Sequence, residues 1–146
     1  MLKTIFIFGS VYVAMIAMAF WESEVEGKKA WDKGKLGWKI QCGKYCLPAY
    51  HFFVFVVMWP VLLSLPLIVN GWDAKLFGIL TSAYFSGLVL EDFLWFIVNP
   101  AIKFSESFSP KFASHYPWLK IWKLQFPLTY LIGLSLSLLS WFFFWR

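Results

Sequence analysis

Charge is what this chain has least of. Lys, Arg, Asp and Glu make up 14% of its 146 residues, against about a quarter in soluble domains. With 60% hydrophobic residues, that shortage excludes an ordinary soluble domain. The apolar residues gather in four runs: Leu2 to Trp21, Ala49 to Val69, Leu76 to Val98 and Pro127 to Trp145. Each is long enough to cross a hydrocarbon core, which needs about 20 helical residues. The fourth run has no Asp, Glu, Lys, Arg or His, the first has only Lys3, the second only His51, and the third only Glu91 and Asp92. The expected fold is all-α, an integral membrane four-helix bundle formed by residues 1–146 as a single transmembrane domain.

The N-terminal run could pass for a signal peptide, because Lys3 precedes it and Ala17-Met18-Ala19 looks like a cleavage site. The expectation is nonetheless a retained span. Ten of the thirteen basic residues lie in the loops between spans one and two and between spans three and four. With four spans these loops share a side, and the positive-inside rule makes loops 22–48 and 99–126 cytoplasmic in the cell membrane, with both termini outside. The basic excess therefore reads as topology and contact with anionic lipid, not as nucleic-acid binding.

The turn around Asn70-Gly71-Trp72-Asp73 is short and makes spans two and three an antiparallel pair. Pro60 and Pro66 fall inside span two, where each removes a backbone donor. The freed carbonyls then need a neighbour or water. A widened cavity beside span two is one reading of these prolines, and the commonness of proline in membrane helices is the other. Small residues recur four apart: Ala83 and Gly87, Gly78, Ser82 and Ser86, Thr129, Gly133 and Ser137, and Ser10 and Ala14. Such rows let helix backbones approach closely and mark packing faces. Continued, they run into Glu91 on span three and through Met18 to Glu22 and Glu26 on span one; Glu24 falls off that face. The loops interleave Lys with aromatics such as Trp31, Trp38, Phe108, Tyr116 and Trp118, an interfacial pattern. Neither loop shows low complexity or an internal repeat.

The ionisable groups collect at one end of the expected bundle. Glu91 lies seven residues before Val98, so it sits roughly 10 Å inside its helix end. An ionised carboxylate there costs about 2.5 to 3.5 kcal/mol on insertion scales and needs compensation. The choices are a metal ion, a lysine reaching inward, a shared proton, or donors such as Tyr84, Trp95 and Asn99. Carboxylates from two helices with an imidazole are the ligand set of iron, manganese and zinc sites in bundle cores. The sharp expectation is a divalent-metal site built from Glu22, Glu26, Glu91, Asp92 and His115. The Glu-x-x-His pair of ferritin-like centres is absent, and structural hydrogen bonding is the competing account. His51 reads more simply as an interfacial histidine. Cys42 and Cys46, spaced C-x-x-x-C ahead of His51, would need a fourth ligand to hold zinc. On a cytoplasmic side they read as free thiols.

Three segments, WESEVEGKKAWDKGKLGW, LEDFLWFIVNP and HYPWLKIWKLQFPLTY, resemble a group of small multispan membrane proteins. That group shares a Glu-Gly-x-x-Gly-Trp segment after the first span, a Glu-Asp-x-Leu-Trp-Phe-x-x-Asn-Pro segment, and a Trp/His-rich loop before Pro-x-x-Tyr. The matching positions include Glu22, Glu26, Gly27, Glu91, Asp92, Asn99, Pro100 and His115. Ala30 replaces a glycine, and Lys35-Leu36-Gly37 stands where the group has Leu-Pro-Thr. The resemblance implies a site at the acids and implies no substrate.

The functional expectation is a metal-binding membrane protein, with an enzyme on a lipid or small hydrophobic substrate as one form of it. The rivals are a non-catalytic subunit of a larger membrane complex, meeting other membrane subunits or copies of itself through its aromatic surface, and a proton or ion pathway through Glu91 and Asp92.

Overall fold

The computed structural model of the chain describes residues 2–28, 37–43, 45–114, 116–122 and 124–146, with the backbone alone at Cys42 and Tyr45. Four helices, here spans one to four, are long and apolar enough to cross a membrane: Leu2–Glu26, Ala49–Asn70, Ala74–Val98 and Leu128–Trp145. The chain is an all-α four-helix membrane bundle. Its outer faces carry Phe6, Val13, Phe53, Ile68 and Leu138, each more than half exposed, as a lipid-facing surface requires. Span one runs on past Trp21 as far as Glu26, so all three acids of its last turns are helical.

Local chemistry sets the ends of the two acid-bearing helices. Gly27 stops span one with a φ of 57°, a left-handed conformation that costs glycine little. Its N–H donates to the Ser23 carbonyl at 3.1 Å, a helix-closing bond. Span three starts at Asp73, whose carboxylate accepts from the N–H groups of Lys75 at 2.8 Å and Leu76 at 3.0 Å. It ends at Asn99, which is extended because the following Pro100 disfavours helical geometry. The Asn99 side-chain amide then donates to the Gly27 carbonyl at 2.7 Å. The acid ends of spans one and three are thereby tied together.

Spans one and three run parallel and pack most closely. Tyr12 donates to Ser86 at 2.9 Å, and a Cβ added at Gly87 would stand 3.1 Å from Met15 Cγ and 3.3 Å from Val11 Cγ1. The buried face of span one is Val11, Met15, Ala19, Glu22, Ser23 and Glu26. Ser10 is exposed, so the small-residue row expected on this helix is displaced by one residue, because Gly87 admits the larger Met15. Span four runs antiparallel to span three and is joined to it by serines. Ser82 and Ser137 each donate to the other's carbonyl, at 2.7 and 2.9 Å, and Ser140 donates to the Gly78 carbonyl at 3.0 Å.

Span two is the least embedded, with Trp59 its one buried residue among those described. Its stretch Phe52–Met58 is π-helical, and the Trp59 N–H reaches back five residues to the Val54 carbonyl. The next donor in that series would be residue 60, and Pro60 has none. The Phe55 carbonyl is instead satisfied by the Tyr84 hydroxyl of span three. The proline thus creates the acceptor that fastens span two to the bundle.

The structure also contains a repeat that neither loop betrays in sequence. Strands β1 (Lys39–Cys42) and β2 (Tyr45–Pro48) form an antiparallel hairpin that runs straight into span two. Strands β3 (Trp118–Ile121) and β4 (Leu124–Pro127) do the same ahead of span four. Both hairpins end their second strand on a proline, and both turns hold a left-handed residue, Gly43 at φ 59° and Trp122 at φ 56°. The strand-to-helix junctions match too: Ala49 N–H donates to the Trp38 carbonyl at 3.0 Å, and Leu128 N–H to the Pro117 carbonyl at 2.8 Å. The chain is a helix, hairpin and helix built twice, the arrangement of parallel repeats in a membrane.

Candidate functional site

The repeat brings the third residue of each returning helix to the acid end of the bundle. His51 of span two reaches span one, its Nε2 lying 3.6 Å from Glu22 Oε2 and 3.7 Å from Glu26 Oε1. Tyr130 of span four reaches span three and donates to Asp92 Oδ2 at 2.5 Å. Tyr116, at the foot of the second hairpin, donates to Asp92 Oδ1 at 2.5 Å. Glu91 sits between the two groups, with its carboxyl beside that of Glu22. All of these side chains line one cavity of about 530 Å³, within the roughly 300 to 1,000 Å³ typical of small-molecule sites.

Two contrasts define the chemistry. Asp92 is provided for: each of its oxygens accepts from a phenol. Glu22 and Glu91 are not. Both are buried, at 3% and 5% exposure, and Glu22 Oε1 and Glu91 Oε1 have no hydrogen-bond partner among the described residues. Buried polar atoms are nearly always paired, so two orphaned carboxylate oxygens in one cavity point to something that binds there. Contact between two carboxyl groups likewise calls for a proton or a cation. One ligand atom each from Glu22, Glu26 and His51 lies within 4.8 Å of the others. Two atoms bound tetrahedrally to zinc at about 2.1 Å are about 3.4 Å apart, close to the two His51 separations. The group therefore suits a divalent ion in donor type and in its two His51 spacings.

Of the residues expected from sequence, Glu22, Glu26, Glu91 and Asp92 share this cavity, while Glu24 is exposed as a rim residue. His115 lies outside the described residues. The imidazole beside the acids is His51, which sequence reasoning treated as interfacial. No local signal could have promoted it, since its partners lie 25 and 29 residues earlier and meet it only through the hairpin. Two of the expected donors go elsewhere: Tyr84 to the Phe55 carbonyl and Asn99 to the Gly27 carbonyl. Trp95 lines the cavity and packs edge-on against Phe96. Tyr116 and Tyr130 are the donors that sequence reasoning missed for Asp92. Of the two cysteines, Cys46 is a half-buried free thiol on the cavity wall, and the Cys42 side chain lies outside the described residues. Pro60 also lines the cavity, which gives weight to the reading of a space opened beside span two.

No family model, curated protein or solved structure matches the chain. The site therefore rests on its own geometry.

Proposed function

We propose that this is a metal-binding integral membrane protein whose centre lies near the cytoplasmic interface and serves an enzyme acting on a lipid or small hydrophobic substrate. Glu22, Glu26 and His51 are the ligands, Glu91 is a fourth carboxylate available as ligand or general base, and Asp92 with its two tyrosines is the fixed negative wall opposite. His115 is a further ligand to test, given its place in the sequence beside Tyr116. Iron, manganese and zinc all suit this donor set. The observation that carries the reading is the close group of two buried carboxylates and an imidazole, with an unpaired Glu22 oxygen, at the closed end of an apolar cavity.

Elemental analysis of the purified protein tests it. A stoichiometric transition metal that is lost in both Glu22→Gln and His51→Ala supports the centre. A second reading is favoured by the Glu22–Glu91 contact alone, in which a proton holds the two carboxyls and moves along a pathway through them. Metal-free protein that passes protons in liposomes, and stops doing so in Glu91→Gln, selects that reading.

A further inference from the structure

The cavity is open on one side, and the open side is greasy. Val56 and Pro60 of span two and Ile132 and Leu136 of span four line it. All four are also exposed on the outer surface, Val56 at 50%, Ile132 at 49% and Leu136 at 38%. A side chain that faces both a cavity and the exterior stands at its mouth. Pro60 is midway along its helix, between Ala49 and Asn70, so this mouth opens into the hydrocarbon and not into water. Anything that enters there is dissolved in the membrane already.

The interior combines apolar and acidic groups. Phe55, Phe85, Leu88 and Val89 line it together with the acids, of which Glu22, Glu26 and Glu91 are buried at 7% exposure or less. Two carboxylate oxygens among these acids lack something to accept from. Glu22 Oε1 and Glu91 Oε1 are unpaired acceptors on side chains 3% and 5% exposed. Tyr116 and Tyr130 have already committed their protons to Asp92. Among the described residues four carboxyl groups and one imidazole line the cavity, an acidic lining.

We propose that the cavity takes a single-chain amphiphile laterally from the bilayer, that the head of this ligand is a hydrogen-bond donor, a primary amine or alcohol, and that carboxylate and phosphate heads are rejected. A volume of about 530 Å³ suits one drug-sized molecule, hence one chain. A cationic amine gains most, because it meets unpaired carboxylates in a low-dielectric pocket beside aromatic rings such as Phe55 and Trp95. The inference rests on the proposed site and deepens it by naming the ligand class, and Glu91 remains its acceptor whether a metal ion is held by Glu22, Glu26 and His51 or a proton lies between Glu22 and Glu91.

Three photoreactive probes test it on the full chain in nanodiscs: dodecylamine, dodecanol and dodecanoic acid, each with a diazirine in the chain. The amine and the alcohol are expected to label peptides around Val56–Pro60 and Ile132–Leu136, with labelling competed away by the unmodified compound. Ile132→Trp, which fills the mouth, lowers that labelling roughly tenfold. Phe6→Trp, on the lipid-facing surface of span one, leaves it unchanged. Glu91→Gln weakens the amine more than the alcohol. Equal saturable labelling by dodecanoic acid, or labelling spread over all lipid-facing surfaces and indifferent to Ile132→Trp, overturns the proposal. Metal content measured on the same samples reports separately on the ion, so the two readings fail independently.

Discussion

His51 and Tyr130 occupy the same step of a repeated unit: each is the third residue of a helix that leaves a β-hairpin, and each meets an acid of the span preceding that hairpin. One half of the molecule thus presents an imidazole to Glu22 and Glu26, the other a phenol to Asp92. This division of labour gives the site a charged pole that is hydrogen-bonded and one that is left open.

The open pole should behave as a metal site in solution. Ligands must be deprotonated before they bind an ion, so affinity falls as pH falls. An ion that binds the folded state alone and is present at about 100 times its dissociation constant adds about 2.7 kcal/mol of stability. Thermal unfolding of the purified protein should therefore move to lower temperature on chelation, with the gap between chelated and metal-loaded samples closing as the pH is lowered through the carboxylate and imidazole range. A gap that is independent of pH would exclude these ligands.

The closed pole makes a different prediction. Removing either phenol by Tyr116→Phe or Tyr130→Phe deletes one hydrogen bond to a charged acceptor, worth roughly 1.5 to 3 kcal/mol. The double variant should lose more than the sum of the singles, because Asp92 is then left without either tyrosine. Asp92→Asn in the double-Phe background should recover part of the loss. Unfolding in mixed detergent micelles measures all four.

Pro60 and Tyr84 should be energetically coupled. In the native protein Tyr84→Phe orphans the Phe55 carbonyl, a loss of roughly 0.6 to 1.7 kcal/mol by the measured range for interhelical bonds in a membrane protein. In a Pro60→Ala background the helix regains its own donor, and Tyr84→Phe should then cost little. Equal costs in the two backgrounds, measured as a double-mutant cycle, would show that the tyrosine serves something else.

Two of the close-packed glycines should respond unequally. A Cβ at Gly133 would meet Val89 Cγ2 at 2.7 Å and the Phe85 carbonyl at 3.3 Å, a stiff side chain and a backbone atom. At Gly87 the nearest atom, at 3.1 Å, belongs to the flexible Met15. Gly133→Ala should destabilise by about 1 to 3 kcal/mol, the usual overpacking range, and Gly87→Ala by clearly less. The reverse order in unfolding midpoints would contradict the packing described.

How much of this was readable in the sequence follows from the range of each signal. The spans were legible because a run of apolar residues with almost no charge has few alternatives to a helix in lipid. The end of span three fell where expected, at Val98, whereas span one runs five residues past the expected Trp21. The face of span one was misplaced by one residue, since small-residue rows say where a backbone can approach and not which large neighbour fills the space. The hairpins were invisible because their strands are four residues each and their turns lack the Asn-Gly or Asp-Gly signature. Trp122 takes a left-handed conformation that no propensity assigns to tryptophan. With the hairpins went the placement of His51, Tyr116 and Tyr130, whose roles depend wholly on where the returning helices begin.

The junction bonds from Ala49 to Trp38 and from Leu128 to Pro117 have a mechanical effect. A helix whose first residue is bonded into a hairpin lying across its base can lean about that point, but it cannot piston along its own axis without tearing the junction. Span two, held higher up mainly by Trp59 and the Tyr84 bond, is a pivoted post. Its upper part can swing outward and widen the gap toward span four while His51, two residues above the pivot, keeps its height beside Glu22 and Glu26.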